Sequence, residues 1–194
     1  MSILHTSLDS IFETQTLNLA PLTILTGYNN TGKTTILKHI YGLCPLKQDF
    51  TRYFKWRECF TALSDIEHNI PNNGLIILEQ PECGLHPSLQ LEMADKIIKV
   101  MNQSLITVVE THSDHIINRL IRRHIEGIIN DKDITIYHLT RKSSKNKTQI
   151  NQIIIDREAG VINNQDFFCQ FAKETENIIE ACLKNTRLNK KGKK

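Results

Sequence analysis

The chain has 194 residues, of which 40% are apolar and 23% charged, and its formal net charge is +3. That length suffices for one domain with a real core, and the composition is ordinary for a soluble globular protein. No apolar run approaches the roughly 18 to 20 residues needed to cross a bilayer.

The start, MSILHTSLDSIFE, lacks the basic opening and long apolar stretch of a signal peptide, so a cytoplasmic location is expected. Cys44, Cys59, Cys83, Cys169 and Cys182 are odd in number and widely spaced. Reduced, partly buried thiols are expected from that pattern, not a zinc site or disulfide framework. The positive charge is concentrated at the end. Lys184 to Lys194 hold six Lys or Arg and no acid, leaving residues 1–183 at −3. The main body is therefore not globally basic. The tail could contact nucleic-acid phosphates, but a solvated, disordered terminus accounts for it equally well.

The first predicted element is a buried strand over Pro21 to Thr26, which meets Gly27 at a turn. Thr34 to Tyr41 suits a helix with Ile36, Leu37, Ile40 and Tyr41 on one face. From Gly42 to Asn73 the pattern is weak. There Phe50, Tyr53, Phe54, Trp56 and Phe60 recur near helical spacing and suggest one or two short helices. Leu75 to Leu78 is a second buried strand. Pro87 and Ser88 open a helix to about Met101, with Leu91, Ala94, Ile98 and Met101 as its buried stripe.

Leu105 to Val109 is a third strand. Ser113 then caps a helix to about His124 that buries Ile116, Ile117, Leu120 and Ile121. Ile134 to Leu139 and Ile150 to Ile155 are further strands around a polar, basic loop, expected as an antiparallel appendage. Asp166 opens a last helix with Phe167, Phe168, Phe171, Ile178, Ile179 and Cys182 inward. Strands alternating with helices predict an α/β domain with a mostly parallel sheet flanked by helices.

Gly27-Tyr-Asn-Asn-Thr-Gly-Lys-Thr34 fits GxxxxGK[ST] in full, with a strand before it and a helix after. Backbone N–H groups of Gly27, Asn29, Asn30, Thr31 and Gly32 and the helix start at Thr34 and Thr35 would cradle phosphates. Lys33 would neutralise the β and γ oxygens, and the Thr34 hydroxyl would ligate Mg2+. ATP and Mg2+ are the expected ligands.

Glu79 closes the second strand, where a carboxylate can hold a magnesium-bound water. Gln80 follows it. An amide can orient a water but cannot take its proton. Glu82 could supply that base, or could be a plain loop acid. His112, flanked by Glu110 and Ser113 at the end of the third strand, can donate a hydrogen bond to a γ-phosphate. His86 suits turn packing. Phe12 and Tyr28 are candidates to stack on adenine.

Together GYNNTGKTT, LIILEQPECGLHP and VVETHSDHIINRL resemble the ABC-type P-loop ATPase heads of the SMC, RecF and OLD-like group. The set is most similar to OLD-like AAA-family ATPases, whose second acidic motif runs E-[EQ]-P-E-x-x-L-H-P. IIIDREAGVINNQDFF is similar to the end of such domains. The resemblance covers about residues 1–40 and 75–183. It implies that Glu79 and Gln80 form the two-acid motif, that Gly84 to Pro87 form a D-loop crossing a dimer interface, and that His112 is the switch histidine. ATP sandwiched between two heads follows as the implied mechanism.

This chain departs from the pattern between Lys33 and Glu79, only 46 positions apart. Related heads place a helical lobe with an LSGGQ-like signature there. Here Leu63 to Glu67 (LSDIE) lacks both glycines, so a truncated lobe is expected. No DxD-bearing TOPRIM-like nuclease segment follows the motifs in this sequence. The expectation is a compact ATPase domain over 1–183 with a basic tail over 184–194. It would hydrolyse ATP slowly, oligomerise and control a separately encoded nuclease or toxin in anti-phage defence. Two alternatives stand beside it, a non-hydrolysing ATP sensor and an SMC-like DNA-maintenance ATPase using Arg119, Arg122, Arg123 and the tail.

Overall fold

The computed structural model describes residues 12, 17–43, 52–56, 74–141, 147–161 and 178–179. The chain separates into two units, Met1–Ile162 and Asn163–Lys194, and all elements named below belong to the first. Of the second unit only Ile178 and Ile179 are described; both are helical, and although expected inward they are exposed. The expected Phe-Phe helix, the LSDIE stretch and the basic tail lie outside the described residues.

Strand β1 (Leu22–Gly27) leads into helix α1 (Lys33–Leu43). Strands β2 (Arg52–Trp56) and β3 (Leu75–Glu79) follow, then α2 (Pro87–Gln103), β4 (Ile106–Glu110) and α3 (Asp114–Ile125). Strands β5 (Ile134–Thr140) and β6 (Gln149–Ile153) complete one sheet, and β7 (Ile155–Asp156) pairs with β8 (Gly160–Val161).

The sheet order is β2-β3-β4-β1-β5-β6. The first five strands in that order run parallel, and β6 adds an antiparallel edge. β5 is therefore not part of an appendage. It pairs with β1 along its whole length, from Leu22 against Ile134 to Gly27 against Leu139. The stretch expected to be helical around Tyr53 is also different, because Arg52–Trp56 extends the parallel sheet beyond β3. Spaced aromatics fit both periods, and the hydrogen-bonding edge of β3 decides between them.

Burial follows the two faces of the sheet. Leu25, Leu75, Ile77, Ile106, Val108 and Leu139 share one apolar cluster with Ile36, Leu37 and Ile40 of α1. The alternating residues Ile24, Ile76, Leu78 and Val109 are equally buried and belong to the opposite face, where α2 packs on β4 and on α3. α2 buries Met93, Ala94, Ile97, Ile98, Val100 and Met101. Leu91, expected inside, is 37% exposed, and Tyr41 of α1 lies outside too at 38%. α3 buries the four expected residues and adds His124. Among the described residues no helix is long and apolar enough to cross a membrane.

Two caps fix the helices near the carboxyl edge of the sheet. The Ser113 hydroxyl accepts from the Ile116 N–H at 3.0 Å, as the sequence suggests. His86 caps α2, its Nδ1 accepting from the Ser88 N–H at 3.3 Å, so its part is local.

Candidate nucleotide site

The loop between β1 and α1 is shaped by backbone that only certain residues tolerate. Gly27 has φ +133°, and a Cβ there would lie 2.1 Å from the Leu139 carbonyl oxygen of β5. Gly32 (φ 88°) and Asn30 (φ 63°) take left-handed backbone further along. Thr31 is buried and donates to the Tyr28 carbonyl at 2.8 Å, pinning the loop across its width. The helix then begins with the Ile36 N–H bonded to the Gly32 carbonyl at 3.0 Å. The first amides of α1, with no earlier carbonyl to serve them, are the donors that such a loop presents to an anion.

Lys33 is buried, and its Nζ donates to the carbonyls of Gly27 at 3.0 Å and Tyr28 at 2.8 Å. It also lies 3.7 Å from Glu110 Oε1. Burial lowers its pKa below the ordinary lysine value, while Glu110 and then Glu79 pull it back up. The two carbonyls that hold the amine are the partners that an incoming phosphate would replace.

Thr34 Oγ1 donates to Glu79 Oε1 at 2.9 Å. Glu79 is buried at the end of β3, in register with Glu110 at the end of β4. Gln80 follows with φ 48°, a conformation that costs a non-glycine residue about 1 kcal/mol or more. Its N–H donates to the Glu110 carbonyl at 2.8 Å, continuing the ladder past the strand.

These groups surround a cavity of about 1010 Å³. The loop and α1 contribute Asn29, Asn30, Gly32, Lys33, Thr34 and Thr35 to its wall. Strand ends contribute Glu79, Gln80, Glu110, His112 and Arg141. Six of the eight expected phosphate-loop residues thus converge on one space with Glu79, Gln80 and His112. Gly27 and Thr31 shape the loop from behind it.

Glu82 does something else. Its Oε2 accepts from the Thr111 hydroxyl at 2.8 Å and its Oε1 from the His112 N–H at 2.7 Å. It therefore ties the loop after β3 to the loop after β4, and it is not among the residues lining the cavity. His112 Nε2 lies 3.3 Å from Glu110 Oε1, with a third of the side chain exposed.

Phe12 cannot stack on adenine, because it is 5% exposed within the core and bridged to Thr148. Tyr28 remains open at 53% exposure, its ring 6.4 Å from that of His138. Cys83, expected to be partly buried, is a free, exposed thiol on the turn after Gln80, and the other four cysteines lie outside the described residues.

Two wall residues escaped the sequence reading. Glu110 is 1% exposed and touches both Lys33 and His112. Its signal was present, since ITVVE repeats the apolar-strand-then-acid pattern of LIILE. Arg141 follows β5 in a basic loop and carried no comparable signal.

Mg2+ fits the donor set. The Thr34 hydroxyl and the Glu79 carboxylate are hard oxygen donors on one wall, the pattern expected for an ion that keeps several waters and phosphate oxygens. Among the described residues no three His, Cys, Asp or Glu side chains cluster to hold a metal on their own. An ion that arrives with the phosphates needs no such cluster.

Strand, glycine-rich loop and helix, with an acid-ended strand beyond one intervening parallel strand, define an α/β domain of the P-loop nucleoside-triphosphatase class. One family comparison agrees with that class. A family model described as an AAA ATPase domain matches residues 50–117, about a third of the chain. The matched stretch contains Glu79, Gln80, Glu82, Glu110 and His112 but not the phosphate loop, so motif and match are separate observations. Among solved structures the chain is similar to the VirB11 ATPase of the Brucella suis type IV secretion system, in complex with sulphate. The identity is 15%, the TM-score 0.39, and the alignment covers 67% of this chain and 46% of that one. This chain therefore spans less than half the length of that protein. No curated protein matches it.

Proposed function

We propose that the protein binds ATP with Mg2+ and hydrolyses it slowly, as a small ABC-type, OLD-like ATPase subunit. It assembles with itself or a partner and controls a separately encoded effector, a nuclease or toxin, in anti-phage defence. The observation that carries the ATPase part is the convergence of Lys33, Thr34 and Glu79 on one cavity, with Thr34 and Glu79 already hydrogen-bonded. When bound, Mg2+ would neutralise phosphate charge and shield the leaving group. Lys33 would leave its two carbonyls for the phosphates, and the α1 amides would fix their position.

Slowness follows from Gln80, which can orient a water at the cavity wall but accepts no proton. Support for assembly comes from the loop after Gln80. Cys83, Gly84 and His86 are exposed there, where the resemblance expects a dimer-crossing D-loop. The effector and the defence setting rest on the resemblance alone.

The sensing alternative draws on the same Gln80, since a long-lived ATP state would suit a switch without turnover. The DNA-maintenance alternative weakens. Arg119 and Arg123 both bind Asp95 and so join α3 to α2, while Arg122 and Arg123 bind Glu126 within the end of α3.

Phosphate release from ATP and Mg2+ tests the proposal, with Lys33→Ala as the blank. Release above the blank is expected, together with an ATP-dependent rise in mass by light scattering. Tight ATP binding with release equal to the blank would favour the sensor.

A further inference from the structure

We propose that Glu110 accepts the proton of the attacking water, a role that rests on the ATPase reading above. Hydrolysis at neutral pH gains from a positioned proton acceptor, and the described carboxylates near the cavity differ in their availability. Gln80 is an amide. Glu82 spends both oxygens on the Thr111 hydroxyl and the His112 N–H, and does not line the cavity. Glu79 is engaged by Thr34, on the side where the phosphate loop would hold Mg2+.

Glu110 is placed differently. It ends β4, the strand between the phosphate-loop strand and the Glu79 strand, with Leu25 and Glu79 as its Cα partners. Its Oε1 faces Lys33 Nζ at 3.7 Å and His112 Nε2 at 3.3 Å. Its Oε2 is buried with no hydrogen-bond partner among the described residues, a state Glu79 Oε2 shares, so the position between Lys33 and His112 is what separates the two acids. A buried carboxylate oxygen left bare is costly, and a water bound in the cavity would offset that cost. The water that satisfies Oε2 is the nucleophile. Its oxygen forms a bond to the γ-phosphorus as the bond from phosphorus to the β–γ bridging oxygen breaks. The electron pair leaves with ADP, and the water proton passes to Glu110 Oε2. Lys33 and His112 hold the other carboxylate oxygen and so fix the orientation of the base.

The test is steady-state phosphate release and ATP affinity for the full chain and for Glu110→Gln, which keeps shape and removes basicity. A kcat loss of about 100-fold or more is expected, with ATP affinity unchanged or tighter and thermal stability retained. Glu110→Asp, with the carboxylate set back by one methylene, should fall between the two. Retained turnover in Glu110→Gln, while Lys33→Ala is dead, overturns the role and leaves the ATPase reading standing. Loss of ATP affinity in step with turnover in both variants overturns it as well, assigning Glu110 to the positioning of Lys33. Absence of release by the wild-type protein sinks the ATPase reading and this role together.

Discussion

Thr34 Oγ1 and Glu79 Oε1 are 2.9 Å apart although 45 positions separate them in the chain. The contact joins the first turn of α1 to the end of β3 across the cavity floor. It brings together the two groups from which a magnesium ion would draw its protein contacts.

Thr34→Val keeps the volume and removes the hydroxyl. Mg2+-dependent ATP affinity should fall by about 10- to 100-fold, the range seen when groups supporting a metal are lost. ATP affinity in EDTA should change little. Titration of a fluorescent ATP analogue with and without Mg2+ checks this, and equal losses under both conditions would contradict it.

Gly27 carries a separate prediction about the fold. Its φ of +133° and the Leu139 carbonyl, which an added Cβ would strike, leave no room for a methyl group. Gly27→Ala should cost at least about 2 kcal/mol, because strand β5 has to move or the backbone has to rotate. Urea denaturation would register this as a lower midpoint. An unchanged midpoint would mean that β1 and β5 are not paired as described.

Glu82 should behave as a clamp and not as a base. Glu82→Ala removes two hydrogen bonds to one carboxylate, each worth roughly 1.5–3 kcal/mol when a charged group takes part, and frees the backbone at His112. Turnover and stability should both drop, while Thr111→Val, which removes one of the two bonds, should reproduce part of the effect. A loss of turnover without any loss of stability, and an inert Thr111→Val, would return Glu82 to the list of bases.

Asp95 gives a pH-dependent prediction. Burial opposes its charge, but hydrogen bonds from Arg123 and Arg119 outweigh that and carry its pKa from 3.8 to about 2. The folded pKa is thus below the unfolded one. The contribution is present above the unfolded value and is lost as pH falls through the folded one. The carboxylate is about one-third exposed, so screening reduces its worth to about 1 kcal/mol. Asp95→Asn should be less stable than wild type by that amount at pH 6, and the gap should close as pH falls toward 2. Denaturant melts across that range measure it, and a gap independent of pH would contradict the assignment.

Much of the core was legible before any coordinates. The runs LTILTG, LIILE and ITVVE are apolar and end in glycine or acid, and each forms a strand of the parallel sheet. Ile116, Ile117, Leu120 and Ile121 keep helical spacing, and all four are buried. Periodicity failed where two elements compete for a face. Of the expected stripe of α2, Ala94, Ile98 and Met101 are buried and Leu91 is not, and Met93, Ile97 and Val100 turn inward as well. The Tyr53 region failed for a related reason, because a strand gains its hydrogen bonds from a neighbour that local sequence does not name.

The sequence by itself determined the phosphate loop. Its glycines, lysine and threonine act within eight consecutive positions, and local backbone conformation is enough to specify them. The partner of each acid was decided only by the tertiary structure. Glu79, Gln80 and Glu82 stood side by side as candidates along the chain, and Glu110 lay 28 positions beyond Glu82. The order β3-β4-β1 sets Glu110 between the loop and Glu79, and the fold of the 80–86 turn sends Glu82 to His112 instead of the cavity. Sheet order joins residues through hydrogen bonds between distant strands, and no spacing along one chain encodes that order.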